Sequence, residues 1–351
     1  MKTSPAPHRL SPTFPAAPRL QLLLALLVVL PAQATPITAL AFSPDGRALV
    51  SSRSRVVEVR SPTDAVVRHR WDIPLPKITA LRFDSMGRHL ALTGGTPGER
   101  GEALVLTWPD GKPILRVNLP GDLATSLDFS PDGSRLAVAG AHHLAYLWNI
   151  PKHASPATHV PTGPPLVTLS GHAGPVLAVA WDPAGGLITT ASADRSLKVW
   201  SSEDGHLIRT FTHHTEPPNA LAFRPKERKS DPGAPSVCAS GGDDRTVRIW
   251  QPGLGRMVRI VRQHHGPILS LAWMPDATAL FSAGSEGVLR RLDAESDQVL
   301  AEWRGADDWI LALAVSPDGT RLASGDASGQ IRIWDTREKK PAVHFRGPPG
   351  P

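Results

Sequence analysis

From residue 35 onward the chain consists of short apolar stretches, each alternating with polar positions and bounded by turn residues. Alternation with a period of two is typical of half-buried strands, and helical periodicity is hardly present. A unit reads as strand, Pro-Asp-Gly-type turn, strand, Asp-containing tight turn, strand ending in Trp, Asp-Gly-type turn and strand. In the first turn Pro presets φ, Asp accepts local hydrogen bonds and Gly adopts a positive φ. The pattern predicts an all-β protein with four strands per unit.

Two phrases recur along the chain. The stretch from Asp194 to Trp200 returns from Asp244 to Trp250, and a weaker copy ends at Trp334. Phe-Ser-Pro-Asp-Gly occurs at 42–46 and 129–133, with a close copy at 315–319. A repeat of roughly 40–50 residues indicates stacked or radially arranged units. We place seven units over residues 37–71, 78–119, 124–169, 176–212, 219–263, 268–305 and 310–346.

Unit four carries the most complete set of recurring residues. It contains Gly171-His172, Trp181-Asp182-Pro183, Thr190, Asp194 and Trp200. This set resembles a WD40 repeat, and the resemblance extends over essentially all of residues 35–351. It implies a seven-bladed WD40-type β-propeller with four antiparallel strands per blade. Unit one starts with its inner strand and unit seven ends with its own outer strand, so we expect no strand exchange where the ring closes.

In the WD40 family, Trp, Ser/Thr, His and Asp form a hydrogen-bonded chain that ties three strands of a blade together. An indole N–H only donates, a hydroxyl accepts and donates, an imidazole continues the relay, and a carboxylate ends it. The resemblance assigns this structural role to two complete sets: His172, Thr190, Asp194 and Trp200, and His214, Ser240, Asp244 and Trp250. Unit six has Glu286 and Leu292 where Asp and Trp are expected. In unit two Trp108 fits only if the strand is shifted.

Residues 1–34 differ in composition from the rest. Three basic residues precede an apolar run at 20–30, and Ala32-Gln33-Ala34 follows as a small-x-small exit. This order is typical of a cleaved secretory signal peptide, so we expect a secreted or periplasmic protein. The apolar run is too short for a stable membrane span. The alternative, an intracellular WD40 scaffold with an uncleaved leader, stays open.

Net charge argues against nucleic acid as the partner. The formal charge is +6, and it falls to +3 without residues 1–34, which hold three cations and no acid. A mildly basic chain lacks the strong positive field that nucleic-acid binding requires.

The conspicuous histidines and aspartates recur once per unit, so a ring separates them and they cannot converge on one metal ion. No phosphate loop, nucleophile elbow or HExxH motif is present. We therefore expect no catalytic residue, no metal and no cofactor. The alternative is a lactonase- or hydrolase-like propeller enzyme, which would need acidic or histidine side chains around the channel mouth.

Loop tips are the better candidates for function, and we expect a monomeric, non-enzymatic scaffold that presents them to protein or peptide partners. In the family, the loops before the inner strands and after the second strands share one face. On that face we place an expanded loop at 94–101 and, on the opposite face, insertions at 151–165 and 224–236. An exposed Trp amid charges is typical of an interface anchor. The candidate partner-binding residues are Arg195, Asp243, Arg245, Glu286, Asp307, Asp308 and Trp309.

Overall fold

The computed structural model describes residues 35–151, 163–226, 233–306, 308–338 and 341–346. They form seven separate four-stranded antiparallel sheets. The prediction of an all-β, seven-bladed propeller is thereby confirmed. The predicted leader, Asp307 and the middle of both predicted insertions lie outside the described residues.

The strands follow the repeat pattern blade by blade. Blade one contains β1 Ile37–Phe42, β2 Leu49–Arg53, β3 Val56–Arg60 and β4 Val67–Asp72. Blade two contains β5 Ile78–Phe83, β6 His89–Thr96, β7 Arg100–Thr107 and β8 Pro113–Pro120. Blade three contains β9 Ala124–Phe129, β10 Arg135–Gly140, β11 Leu144–Asn149 and β12 Val167–Ser170. Blade four contains β13 Val176–Trp181, β14 Leu187–Ser192, β15 Leu197–Ser201 and β16 Leu207–Phe211.

The remaining blades repeat this order. Blade five contains β17 Pro218–Phe223, β18 Cys238–Gly242, β19 Val247–Gln251 and β20 Arg256–Val261. Blade six contains β21 Ile268–Trp273, β22 Ala279–Gly284, β23 Val288–Asp293 and β24 Val299–Arg304. Blade seven contains β25 Ile310–Val315, β26 Arg321–Asp326, β27 Gln330–Asp335 and β28 Pro341–Arg346.

The antiparallel order divides the loops between two faces. The turns between the second and third strands lie on the same side as the loops that lead into each inner strand, and we call this side the upper face. The Pro-Asp-Gly-type turns and the turns before the outer strands lie on the other side, the lower face. The first strand of every blade lines a central channel.

The hydrophobic core is divided among the blade interfaces. Each of its seven clusters combines side chains of two neighbouring blades, as where Leu147 of blade three packs with Val179 and Trp181 of blade four. A blade buries its faces only when both neighbours are present, which is the energetic logic of repeat architectures.

The ring closes without strand exchange, as the sequence predicted. Blades one and seven each keep their own four strands, and a shared core cluster joins them. The guanidinium of Arg53 donates a 2.6 Å hydrogen bond to the carbonyl of Gly329 across this interface. Gly325 permits the close approach of blade one, because a Cβ there would lie 2.4 Å from Cγ2 of Ile37.

Blade two corrects one expectation. The segment at 94–101 is not an expanded loop, because β6 and β7 continue through it and pair Gly94 with Glu102 and Thr96 with Arg100. Glycine is required for this extension, since a Cβ on Gly94 would lie 1.8 Å from the carbonyl oxygen of Lys77. Longer strands therefore replace the predicted loop.

Trp108 of blade two lies just beyond β7 rather than at the family's Trp position. Leu106 occupies that position opposite Leu90. Trp108 instead contacts Phe83 and Trp71 edge to face, with ring centroids 4.9 and 5.9 Å apart. It contributes to the interface with blade one instead of to a hydrogen-bonded relay.

Candidate interaction face and the networks beneath it

Blade four contains the complete four-membered relay. The indole N–H of Trp200 donates to the hydroxyl of Thr190 at 2.8 Å, and this hydroxyl lies 2.8 Å from Nε2 of His172. Nδ1 of His172 then lies 2.9 Å from a carboxylate oxygen of Asp194. The second and third strands, the turn between them and the loop before the blade are thus joined by side chains that are largely buried.

Blade five keeps three members of the relay and leaves out the fourth. His214 lies 2.8 Å from both Asp244 and Ser240. The indole nitrogen of Trp250 is buried, and among the described residues it has no hydrogen-bond partner. Phe211 packs against that ring at 4.6 Å, and a cavity of about 10 Å³ is lined by Trp250, Ser240 and His214. The expectation that Trp250 belongs to the relay is therefore corrected: its ring packs in the core, and its indole N–H donates no hydrogen bond to the described residues.

Blade six rebuilds the relay with a longer acid. Glu286 lies 2.7 Å from Nδ1 of His264, and Ser282 lies 2.8 Å from Nε2. The guanidinium of Arg290, buried at 1% exposure, donates to Glu286 at 2.6 Å and to Glu302 at 2.8 Å. Because Leu292 replaces Trp, no indole enters this network.

The carboxylates of these networks are held in the charged form. Burial alone would raise the pKa of Asp194, but hydrogen bonds from His172, Ser196 and the amide of Ala173 outweigh it and keep the pKa below its ordinary value. Asp244 follows the same balance, with His214 as the main donor. Burial and the neighbouring Arg290 lower the pKa of His264 to about 4, so its imidazole is neutral at pH 7.

Sequence reasoning missed a repeated ion pair two positions before the Trp site. Arg248 contacts Asp244 at 3.3 Å in blade five, and Arg290 contacts Glu286 in blade six. In blade seven Arg332 contacts Asp326 at 2.6 Å. The basic residue of the repeated phrase was the available signal, but its partner lies in the turn after the second strand in blades five and six and at the end of that strand in blade seven, and the sequence does not specify this geometry.

The channel is lined by a second missed network. The hydroxyls of Thr38, Thr79 and Thr125 donate to carbonyls of the next blade's inner strand at 2.7, 2.6 and 2.6 Å, and the amide of Asn219 does so at 3.2 Å. The channel volume is about 140 Å³. Among its described lining residues Arg82 is the one charged side chain, and neither a histidine nor a carboxylate contributes.

Two of the predicted face residues point outward. Arg195 and Arg245 are exposed on the upper face at the tips of the turns after β14 and β18. Both have a positive φ, of 68° and 63°. Trp309 and Asp308 are half-buried in the loop before blade seven. There a carboxylate oxygen of Asp308 accepts a hydrogen bond from the backbone N–H of Trp309.

Two other predicted face residues point inward, which corrects their assignment. Asp243 is 8% exposed and accepts a hydrogen bond from Asn219 at 2.7 Å. Glu286 is held between His264 and Arg290. A carboxylate already bound to internal donors is a poor contact for a partner, because those bonds would have to break.

No described helix is long and apolar enough to cross a membrane. Among the same residues, no group of three or more His, Cys, Asp or Glu side chains is arranged to hold a metal ion.

The fold and the relays agree with sequence comparison. The family model for the WD domain, G-beta repeat, matches residues 25–59, 114–149, 163–201, 205–251, 255–290 and 297–335. These matches cover more than half of the chain, so the protein belongs to the WD40 family. Residues 60–113, which include most of blade two, lie outside all six matches, in keeping with the absence of the relay residues there.

The curated relatives share parts of the propeller. Protein Notchless of Drosophila melanogaster is 36% identical over 93 residues, which are 26% of this chain and 17% of Notchless. WD repeat-containing protein RUP2 of Arabidopsis thaliana is 35% identical over 98 residues, 28% of this chain and 24% of RUP2. A WD repeat-containing protein of Synechocystis, sll1491, is 26% identical over 149 residues, 42% of this chain and 38% of sll1491. The chain thus matches less than half the length of each relative.

Proposed function

We propose that this protein is a non-enzymatic scaffold whose rigid propeller holds protein or peptide partners against the upper face. The observation that carries the proposal is the contrast between two sets of side chains. The histidines and carboxylates that could perform chemistry are bound to one another inside separate blades. Arg195 and Arg245 instead are exposed at turn tips, and Trp309, which is half-buried rather than exposed as expected, lies in a loop on the same side.

Physical reasons favour that face as an interface. Interface hot spots are rich in Trp and Arg, and loops on a rigid scaffold are common sites of recognition. Membership of a family of repeat proteins adds support for a binding role, although a fold does not determine function by itself.

Affinity capture from the native compartment tests the proposal. The bait is the full chain, compared with a Trp309→Ala, Arg245→Ala double variant and with a Met86→Ala, Arg47→Ala control whose side chains are exposed on the lower face. We expect the upper-face variant to lose specific partners that the wild type and the control retain. Equal recovery by all three folded baits would remove the upper face from the proposal.

We also propose that the protein acts outside the cytoplasm, on the strength of the basic, apolar and Ala-x-Ala order of residues 1–34. The relatives lend this no support. N-terminal sequencing of the protein from its native source tests it: a start at Thr35 is expected, and an intact Met1 would contradict cleavage.

A further inference from the structure

The seven inner strands give the channel an almost uniform wall. Each inner strand has six residues, and its third and fifth positions are alanine in most blades. The third position is serine in blades three and six, at Ser126 and Ser270. The fifth is Arg82 in blade two and Asp128 in blade three. Polar side chains therefore replace alanine at four places in a wall that the repeat otherwise keeps small.

Arg82 lies in the lower half of the channel with most of its hydrogen-bond donors unused. Its side chain is exposed and lines the channel. The hydrogen bond that it makes is a long one, 3.5 Å, from Nη1 to the carbonyl of Leu81. Among the residues that the structure describes, no carboxylate forms an ion pair with it. A guanidinium has five N–H donors in a fixed fork, so the fold leaves several of them open to a ligand.

Asp128 is the acid that interacts electrostatically with Arg82, and its carboxylate is used inside the wall. One oxygen accepts the N–H of Trp181 in blade four at 2.7 Å, and the other accepts the N–H of Phe129 at 3.1 Å. Burial raises the pKa of this carboxyl, although the charge of Arg82 opposes the rise. Asp128 does not belong to the described residues that line the channel. The guanidinium is thus the charged group that a solute in the channel meets.

The two serines of the wall use their hydroxyls differently from the channel threonines, which donate to carbonyls of the next blade. Ser126 accepts the N–H of Val179 at 3.3 Å, and Ser270 accepts that of Leu313 at 3.1 Å. The O–H of each serine therefore remains available as a donor. Ser126 lies on the blade next to Arg82 and two strand positions nearer the upper face, about 7 Å along the strand direction. Ser270 lies on blade six, on the far side of the ring.

We propose that the channel binds a small oxyanion, with carboxylate or phosphate oxygens on the guanidinium of Arg82 and the hydroxyl of Ser126. Arginine matches such oxygens with paired, charge-assisted hydrogen bonds. The channel volume of about 140 Å³ exceeds the share of one water in the liquid, about 30 Å³. An oxyanion satisfies donors that the fold leaves open, whereas a cation would meet a guanidinium and no carboxylate among the described lining residues. This site goes beyond the proposed scaffold function and does not depend on the upper face.

The test uses the full chain and two probes, inorganic phosphate and acetate, each titrated at constant ionic strength and followed by isothermal titration calorimetry. The principal variant is Arg82→Ala, which copies the residue of five other blades. Arg47→Ala is its control, because it removes the same charge from an exposed lower-face turn outside the channel. Ser126→Ala and Ser270→Ala form a second matched pair, since the other five blades have alanine there. The melting temperature of each variant verifies that it is folded.

We expect saturable binding of at least one of the two oxyanions to the wild type and to Arg47→Ala. Arg82→Ala should lose about tenfold or more in affinity, because hydrogen bonds to charged groups are among the stronger ones. Ser126→Ala should weaken the same binding, and Ser270→Ala should leave it unchanged. Asp128→Asn should tighten it, since this change removes the opposing charge and keeps an oxygen for the N–H of Trp181.

The two probes distinguish the sources of the oxyanion. Binding of phosphate alone supports a site for phosphate-bearing solutes, and binding of acetate alone supports a site for carboxylates. No saturable binding of either probe to the wild type would overturn the proposal. Equal affinities of the wild type and folded Arg82→Ala, or equal losses with Arg82→Ala and Arg47→Ala, would overturn it as well.

Discussion

The guanidinium of Arg60 on blade one lies over the ring of Phe345 on the outer strand of blade seven, 4.7 Å from its centroid. Arg60 stands where the family has Trp, and Glu58 binds it at 2.6 Å. The last strand of the chain therefore contacts the first blade through a cation–π interaction, and Glu58 of the same strand as Arg60 holds the guanidinium in place. Since no strand is exchanged at the closure, this contact and the Arg53–Gly329 hydrogen bond add to the shared apolar cluster.

Removing the aromatic face of Phe345 should weaken the closure. Phe345→Leu keeps most of the apolar area but loses the cation–π contact, so we expect a loss of about 0.5–2 kcal/mol in unfolding free energy. Phe345→Trp retains a ring at this half-exposed site and should cost less. Chemical denaturation of both variants measures the difference, and equal losses would show that the ring face does not matter.

The relay predicts that replacing two tryptophans at equivalent positions lowers the unfolding free energy by different amounts. Trp200→Phe removes a donor from Thr190 and should cost about 1–3 kcal/mol more than Trp250→Phe, whose indole nitrogen is buried without a partner. The two substitutions remove the same atoms from similarly buried sites, so each serves as the control for the other. Equal shifts in melting temperature would contradict the relay.

These two positions also show how far the sequence could lead. The recurrence of His, Ser/Thr, Asp and Trp at fixed spacing predicted the seven blades and the relay of blade four. It could not predict that the indole of Trp250 fails to reach Ser240, because a hydrogen bond depends on differences in packing of less than 1 Å. Nor could it reveal that Asn219 turns Asp243 inward, since that contact joins an inner-strand residue to the turn after the second strand.

Blade two marks another limit. Glycines at 94, 95 and 101 suggest a loop in the sequence, yet they belong to two paired strands. Glycine is needed there because neighbouring backbone atoms lie too close for any side chain. Glycine in a strand often signals close approach of another backbone. The sequence alone does not distinguish this use of glycine from a turn.

His264 should make stability depend on pH between about 6.5 and 4. Its pKa is lowered to about 4 by burial and by Arg290, so the unfolded chain binds a proton in this range and the folded protein does not. Its contribution is therefore fully present above pH 6.5 and is lost as the pH falls to 4, by about 3 kcal/mol. His264→Gln should flatten this part of the stability profile, whereas His265→Gln at the exposed neighbour should not. Parallel profiles for wild type and His264→Gln would contradict the assignment.

Asp194 and Asp244 should make the stability of the fold depend on pH in a more acidic range than His264 does. Their pKa values are depressed in the folded protein, so their stabilisation is present above the unfolded value near 3.9 and is lost as the pH falls below it. Asp194→Asn should destabilise the protein at pH 7 and reduce the further loss on acidification. Acid titration of unfolding free energy measures both effects. A variant as stable as wild type at pH 7 would show that the ionised carboxylate adds nothing.

The channel ladder should contribute to stability through hydrogen bonds. Thr125→Val keeps the side-chain shape but removes the 2.6 Å bond to Val176, and should cost about 1 kcal/mol. Thr189→Val is the matched control, because the buried hydroxyl of Thr189 has no partner among the described residues; that change should be neutral or stabilising. Urea denaturation separates the two cases, and equal destabilisation would refute the role of the ladder.

The central claim is that partners bind the upper face of a rigid ring whose blades are held together by side-chain hydrogen bonds. Hydrogen–deuterium exchange of the full chain, with and without a captured partner, tests this claim most directly. The account predicts that binding protects the turns at 193–196 and 243–246 and the loop at 308–309, while the Pro-Asp-Gly turns at 43–47, 130–134 and 316–320 remain unchanged. Protection confined to those lower-face turns, with no change at the arginine tips or Trp309, would contradict it.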